Sequence, residues 1–142
     1  MSKRKLHEPM SEIATVRLRQ AKLRPTRQRA ELAELLFHGG HRHLTADALH
    51  AEAAANGARV SLATIYNTLH QFTKAGLLRE VVVNPTHSYF DTNTTDHQHF
   101  YCEDDDTLID IVDPEFEIRL PRSSPPETEI KRIDVVVQVR RR

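Results

Sequence analysis

The chain has 142 residues, of which 39% are hydrophobic and 28% are charged, and its formal net charge is zero. This length fits one ordinary domain or two small ones, and the absence of any apolar run near the roughly 20 residues that span a bilayer excludes a membrane-embedded protein. Residues 1–9 contain no apolar stretch typical of a secretory signal, and a single cysteine suits a reducing compartment, so we expect a cytoplasmic protein.

The zero net charge conceals an asymmetry along the chain. Residues 1–80 hold 13 basic and 7 acidic side chains, whereas residues 81–142 hold 7 basic and 13 acidic ones. A basic region attracts polyanions such as DNA, and that binding weakens as salt rises. Charge runs are more often solvated tails, so the asymmetry alone is weak support for a nucleic-acid partner.

The first half of the chain predicts four helices. Hydrophobic residues recur every three or four positions, Ser or Thr stands where each of the last three helices would begin, and glycine stands near the ends of these three. The predicted helices run over 11–23, from Thr26 to about Gly39, from Thr45 to about Gly57 and from Ser61 to Gly76.

Two segments rich in β-forming residues follow the fourth helix, at 77–83 and 88–90, with a polar turn between them. Helices followed by such a hairpin predict a winged helix-turn-helix, which would occupy residues 1–91. The short polar residues 92–95 then read as a hinge.

Residues 92–142 predict a second, smaller domain. Strands are expected at 97–102, 107–112 and 130–140, while the prolines between them favour an extended path. Helices in the first domain and strands in the second make the fold class α/β, and the strands of the second domain are expected to form an antiparallel sheet. About fifty residues bury too little apolar surface to be stable alone, so we expect a homodimer or a higher oligomer.

Potential metal ligands are concentrated around the start of this second domain. His97 and His99 are two residues apart, which on a strand places both imidazoles on one side, and Asp91 and Asp110 flank them. Imidazole and carboxylate together suit a borderline divalent ion such as iron, manganese or zinc.

The fourth helix carries polar side chains that can reach DNA. Asn67 and Gln71 are candidates to read base edges, because amide side chains pair with bases in the major groove. For any single polar residue on a helix, ordinary solvent exposure is the more common explanation. The full predicted interface consists of Arg17, Arg19, Arg24 and Arg27 toward phosphates, and Thr64, Tyr66, Asn67 and Gln71 toward bases or backbone.

Four segments in one order carry a resemblance: LRPTRQR at 23–29, HLTA at 43–46, VSLATIYNTL at 60–69 and DHQHFYC at 96–102. Over residues 21–111 the sequence resembles the ferric uptake regulator family. Several separated motifs in a fixed order are far more specific than any one of them. The resemblance implies a dimeric, metal-responsive transcription regulator with an N-terminal winged helix and a small C-terminal α/β dimerisation domain.

The resemblance also implies one regulatory ion per chain, Fe²⁺, Mn²⁺ or Zn²⁺, held at the positions of His43, Asp91, His97, His99 and Asp110. A structural zinc held by four cysteines is not expected, because Cys102 is the only cysteine. A second metal site of the family is expected to be lost, since Gln98 occupies one of its ligand positions.

Two branches of the family remain open. Carboxylates at 91 and 110 and Asn67 after Tyr66 resemble both the peroxide-sensing branch and the iron response regulator branch. YFDTN at 89–93, LIDI at 108–111 and IDVVV at 133–137 favour the iron-response branch, whose members can be linked to haem. Haem is thus a further candidate ligand, although no Cys-Pro haem motif is present.

The leading hypothesis is an iron- or haem-linked DNA-binding regulator, acting as a repressor, whose DNA affinity depends on metal occupancy. One alternative is a peroxide-sensing regulator of the same family. Another is a small metalloenzyme that does not bind DNA, because two histidines and a carboxylate can hold a catalytic ion. We expect no enzyme, since no acid or base beside the metal is evident.

Overall fold

The computed structural model describes residues 12–142, and the start of the first predicted helix at Ser11 lies outside them. The chain divides into two compact units, Met1–Thr94 and Thr95–Arg142. The division falls within the polar segment 92–95 that the sequence predicts as a hinge.

The first unit contains the four predicted helices. They are α1 Glu12–Gln20, α2 Arg27–Phe37, α3 Ala46–Ala55 and α4 Leu62–Lys74. The predicted N-caps are confirmed, because the hydroxyls of Thr26, Thr45 and Ser61 each accept a hydrogen bond from the backbone N–H three residues later. Such caps satisfy donors that a helix leaves open at its start.

A three-stranded antiparallel sheet completes the first unit. Its strands are β1 His43–Leu44, β2 Arg79–Asn84 and β3 His87–Asp91, in the order β1-β3-β2. The β2–β3 hairpin confirms the predicted wing. β1 has only two residues, too few for a sequence pattern, and the sequence did not predict it.

The core of the first unit lies between the helices and the wing. The large, fully buried side chains of this unit are mainly aliphatic or aromatic: Leu18, Leu32, Leu36, Leu49, Ile65, Leu69, Phe72, Val81 and Phe90. Each such side chain stabilises the fold by about 1.5–3 kcal/mol. Because α4 points Ile65, Leu69 and Phe72 into this core, its opposite side is available to a partner.

The second unit is built on a mixed sheet. Its strands are β4 His99–Cys102, β5 Thr107–Asp110 and β6 Val136–Val139, in the order β5-β4-β6. β4 and β5 pair antiparallel as predicted, whereas β6 pairs with β4 in parallel. The connection from 111 to 135 begins and ends at the His99 end of the sheet and passes from one side of β4 to the other, so β6 runs parallel to β4 and antiparallel to β5. Residues 95–142 form no helix.

The strands of this unit are shorter than predicted, and just ahead of β6 the side chain of Gln98 takes the place of strand pairing. Its Nε2 donates to the carbonyl of Ile133 at 3.2 Å, and its Oε1 accepts from the backbone N–H of Val135 at 2.6 Å. Gln98 is buried. Its amide therefore holds the approach to β6 rather than facing a metal.

The acidic turn between β4 and β5 is fixed by an aromatic hydroxyl. Tyr101 donates from its hydroxyl to Asp106 Oδ1 at 2.7 Å. This hydrogen bond, together with burial, raises the pKa of Tyr101 to about 12. Asp106 itself has a φ of 50°, a left-handed conformation that suits the tight turn.

Within residues 12–142, every helix is too short or too polar to cross a bilayer.

Candidate metal centre and nucleic-acid interface

The second unit brings three of the five predicted metal ligands together. His97 Nε2 lies 3.6 Å and His99 Nε2 lies 3.3 Å from the same carboxylate oxygen, Asp110 Oδ1. Their positions follow from the sheet, because His99 on β4 is directly opposite Asp110 on β5. His97 precedes the strand, yet its ring centroid is 4.5 Å from that of His99. The predicted convergence of the two imidazoles is present without a strand at 97.

The hydrogen bond of His97 determines which of its nitrogens can bind an ion. Nδ1 lies 2.7 Å from the carbonyl oxygen of Thr95, which can only accept, so Nδ1 carries the proton. In the neutral ring Nε2 then presents a lone pair toward Asp110 Oδ1, which is also an acceptor. Two acceptors directed at each other favour a cation between them. An imidazole oriented by a backbone carbonyl is a recurrent arrangement in metal sites.

Burial shields this trio from water. The side chain of His99 is 1% exposed and that of His97 is 12% exposed. The side chain of Asp110 is 43% exposed, although its Oδ1 atom has almost no accessible surface. The donor atoms of the three residues lie within 4.8 Å of one another. The chemistry and spacing of this donor set fit a borderline divalent ion.

The first unit pairs the remaining two predicted ligands. His43 on β1 is the direct cross-strand partner of Asp91 on β3, and Asp91 is buried. Directly opposite residues in a sheet share a face, so both side chains project to one side. β1, which the sequence did not reveal, therefore explains how His43 and Asp91 come together.

The short β1–β3 pairing is anchored by the neighbours of these two residues. The N–H of Arg42 donates to Thr92 Oγ1, and the N–H of Thr92 donates to the carbonyl of Arg42, both at 2.9 Å. The Arg42 guanidinium also makes two hydrogen bonds with the carboxylate of Glu52 on α3, at 2.9 and 2.8 Å. Hydrogen bonding to Glu52 raises the pKa of Arg42. Paired donors of this kind fix orientation as well as charge.

The outward side of α4 holds the predicted base-reading residues. Tyr66, Asn67 and Gln71 are exposed there. Thr64 is half-buried, and its hydroxyl accepts from Ser61 Oγ at 3.0 Å, so it is part of the helix cap.

The four predicted phosphate-contacting arginines are exposed on or next to α1 and α2. Arg17 places its guanidinium carbon 4.9 Å from the centre of the Phe37 ring, and Arg27 donates to Glu31 at 3.0 Å. Arg19 and Arg24 complete the set. Gln71 has a partner that sequence reasoning missed, since Arg29 on α2 donates to its carbonyl oxygen.

A winged helix joined to a small sheet that gathers imidazoles around a carboxylate defines a metal-responsive DNA-binding regulator. Residues 20–139 match the model of the Ferric uptake regulator family. The chain belongs to this family.

Individual relatives agree with that assignment. The peroxide-responsive repressor PerR of Staphylococcus aureus strain Mu50 is 36% identical over 109 residues, which cover 77% of this chain and 72% of that protein. The manganese-bound ferric uptake regulator of Pseudomonas aeruginosa superposes with a TM-score of 0.70 at 27% identity, over 91% of this chain and 98% of the other. The Vibrio cholerae ferric uptake regulator shares the fold, with a TM-score of 0.68 at 21% identity over 89% and 98% of the two chains.

Proposed function

We propose that this chain is a homodimeric repressor whose binding to operator DNA is controlled by one divalent ion per chain, in an iron- or haem-linked response. The observation that carries the proposal is the convergence of the His97 and His99 Nε2 atoms on Asp110 Oδ1. His97, His99 and Asp110 would hold Fe²⁺, Mn²⁺ or Zn²⁺, and Asp91 and His43 would complete the ligand set. The bound ion would supply a fixed positive charge that favours one conformation of the chain.

Support for Asp91 and His43 comes from their own unit. A buried carboxylate directly opposite an imidazole is a suitable pair of donors for the same kind of ion. Asp91 also accepts from the backbone N–H of Asn93 at 2.9 Å, which orients its carboxylate. Metal occupancy and DNA affinity would then be coupled, each changing the other by the same factor.

The DNA-binding surface proposed here is the exposed side of α4 together with its basic surroundings. Tyr66, Asn67 and Gln71 would contact bases, and Thr64 would contribute through the start of the helix. Phosphate contacts would position the helix without specifying sequence. These contacts are assigned to Arg17, Arg19, Arg24 and Arg27.

The dimer is proposed from the second unit. Hydrophobic side chains with exposures between 37% and 87% are concentrated there, which is costly in water for a unit of this size. They are Ile109, Val112, Phe116, Leu120 and Ile130. A second copy covering these side chains would add the apolar burial that three short strands lack.

A peroxide response is the second candidate, favoured by the 36% identity to a peroxide-responsive repressor. In the iron-loaded protein, the imidazole of His43 or His97 would gain one oxygen atom from peroxide, with release of water. Mass spectrometry of the iron form after peroxide treatment tests this candidate, and unmodified peptides at both positions would contradict it. A Soret band on haem titration would favour the haem-linked response instead.

The proposed function is tested by gel shift of a promoter fragment at two salt concentrations, with Mn²⁺ and with chelator. We expect DNA affinity to change with metal in the wild type and to become insensitive to metal in His97→Ala. His41→Ala is the matched control, because His41 is an exposed histidine of the first unit. A metal response that His97→Ala leaves intact would refute the proposed ligand set, and no specific binding in any metal state would refute the function.

A further inference from the structure

The guanidinium of Arg29 connects three parts of the first unit. Its Nε and Nη2 both donate to Gln71 Oε1 on α4, at 3.3 and 3.2 Å, and its Nη1 donates to the carbonyl of Arg24 at 3.1 Å. Arg29 is half-buried and lies in the first turn of α2. Its charge is therefore directed at α4 rather than held free for phosphate.

These two bonds determine the polarity of Gln71. A guanidinium can only donate, so the atom that faces it must be the amide oxygen, and that oxygen has two lone pairs. Both are occupied by the N–H groups of Arg29. What Gln71 retains for a partner is its amide nitrogen with two hydrogens.

Asn67 provides the contrast on the same side of α4. It lies four residues earlier, one helical turn away, and is exposed. Its side chain makes no hydrogen bond within residues 12–142, so its amide keeps both a donor and an acceptor. An amide with both can pair with the N6 and N7 positions of adenine at once, whereas an amide that only donates cannot.

The acceptors in the major groove are N7 and O6 of guanine, O4 of thymine and N7 of adenine, but at adenine the N6 amino group beside N7 is a donor, and an amide that only donates cannot pair with it. We propose that Arg29 is a specificity-determining residue: by occupying the Gln71 carbonyl, it makes Gln71 a donor-only reader that selects guanine or thymine over adenine. Asn67 keeps the usual adenine pairing. Arg29 acts through Gln71 and is a positioning residue. The inference rests on the DNA-binding function and adds the chemistry of one base contact.

The experiment is selection from a library of duplexes with a randomised core, using the full-length Mn²⁺-loaded protein. The wild type, Arg29→Met and Gln71→Glu are compared, with Arg27→Met as the matched control. Arg27 is an exposed arginine of the same helix that bonds within α2, so its loss removes an equal charge without touching Gln71.

We expect the wild type to show a guanine or thymine preference at one position of each half-site. In Arg29→Met the freed carbonyl should shift that position toward adenine by about tenfold, the discrimination of a bidentate pair. Gln71→Glu keeps a partner for Arg29 but has no donors, so the guanine or thymine preference should disappear. Arg27→Met should lower affinity for all sequences alike and leave the preferences unchanged.

Two results would overturn the inference while leaving the DNA-binding function intact. One is an Arg29→Met profile identical to that of Arg27→Met, which would make Arg29 a simple phosphate contact. The other is a Gln71→Glu profile with wild-type preferences and uniformly lower affinity, which would place the amide on a phosphate oxygen. A wild type that selects no sequence would refute the function and the inference together.

Discussion

Asp110→Asn separates the metal-binding role of the Asp110 carboxylate from any role in folding. The substitution keeps the shape of the side chain and removes the only anionic donor of the trio in the second unit. Asp110 Oδ1 lies 3.3 and 3.6 Å from the two imidazole nitrogens, so a bound ion would be within a few ångströms of that charge. Opposite charges at such distances attract by several kcal/mol at an effective dielectric constant of about 20, before dehydration is subtracted.

We therefore expect Asp110→Asn to weaken Mn²⁺ binding at least about 100-fold, or about 2.7 kcal/mol. At a Mn²⁺ concentration of about 100 times the wild-type Kd, metal should stabilise the wild type by about 2.7 kcal/mol and the variant by no more than about 0.4 kcal/mol. Without metal the variant should be at least as stable as the wild type, because an amide can donate to an imidazole nitrogen and such a bond contributes about 1 kcal/mol.

Urea unfolding with and without Mn²⁺ measures both effects. Glu129→Gln is the control, since it removes the same charge from an exposed position of the same unit. A variant that keeps the full metal-dependent stabilisation would refute the reasoning. Marked destabilisation of the metal-free variant would show that the carboxylate serves folding.

Three further predictions concern the fold. The pKa of Tyr101 is raised from about 10 in the unfolded chain to about 12 in the folded one, so the contribution of Tyr101 to stability should be constant below pH 10 and should be lost between about pH 10 and 12. The pKa of Tyr101 can be measured by following the absorbance of tyrosinate as pH rises. In Asp106→Asn this pKa should move back toward 10, and an unchanged titration would contradict the role of the hydrogen bond. Gln98→Leu should cost about 1–3 kcal/mol in urea unfolding, because two backbone groups lose their partner, whereas Gln138→Leu on the exposed side of β6 should cost little. An equal loss of stability in the two leucine variants would contradict the structural role of the buried Gln98 amide. Ser61→Ala should reduce stability by about 1 kcal/mol through loss of the helix cap, and Ser61→Asp should restore it.

The features that the sequence predicted well depend on local interactions. N-caps, terminal glycines and helical periodicity involve neighbours within four residues, and all of the caps are present in the fold. The convergence of His97 and His99 was predicted for a related reason, since only one residue separates them. Asp110 reaches them through the register of an adjacent hairpin.

The features that could not be predicted from the sequence depend on residues far apart in the chain. β1 is visible only through its pairing with β3, nearly fifty residues later. The parallel position of β6 follows from a long connection whose path no periodicity describes. The Arg29–Gln71 contact joins residues 42 positions apart, and a basic residue beside a predicted recognition helix gives no sign of which atom it faces.

Gln98 has a consequence for how the protein could sense its ligand. It stands between the two histidines, and its amide clasps the backbone at 133 and 135, just ahead of β6. The backbone that carries the two imidazoles is thus connected by hydrogen bonds to the start of the edge strand β6. If an ion drew the two imidazoles together, the side chain of Gln98 would transmit that movement to β6.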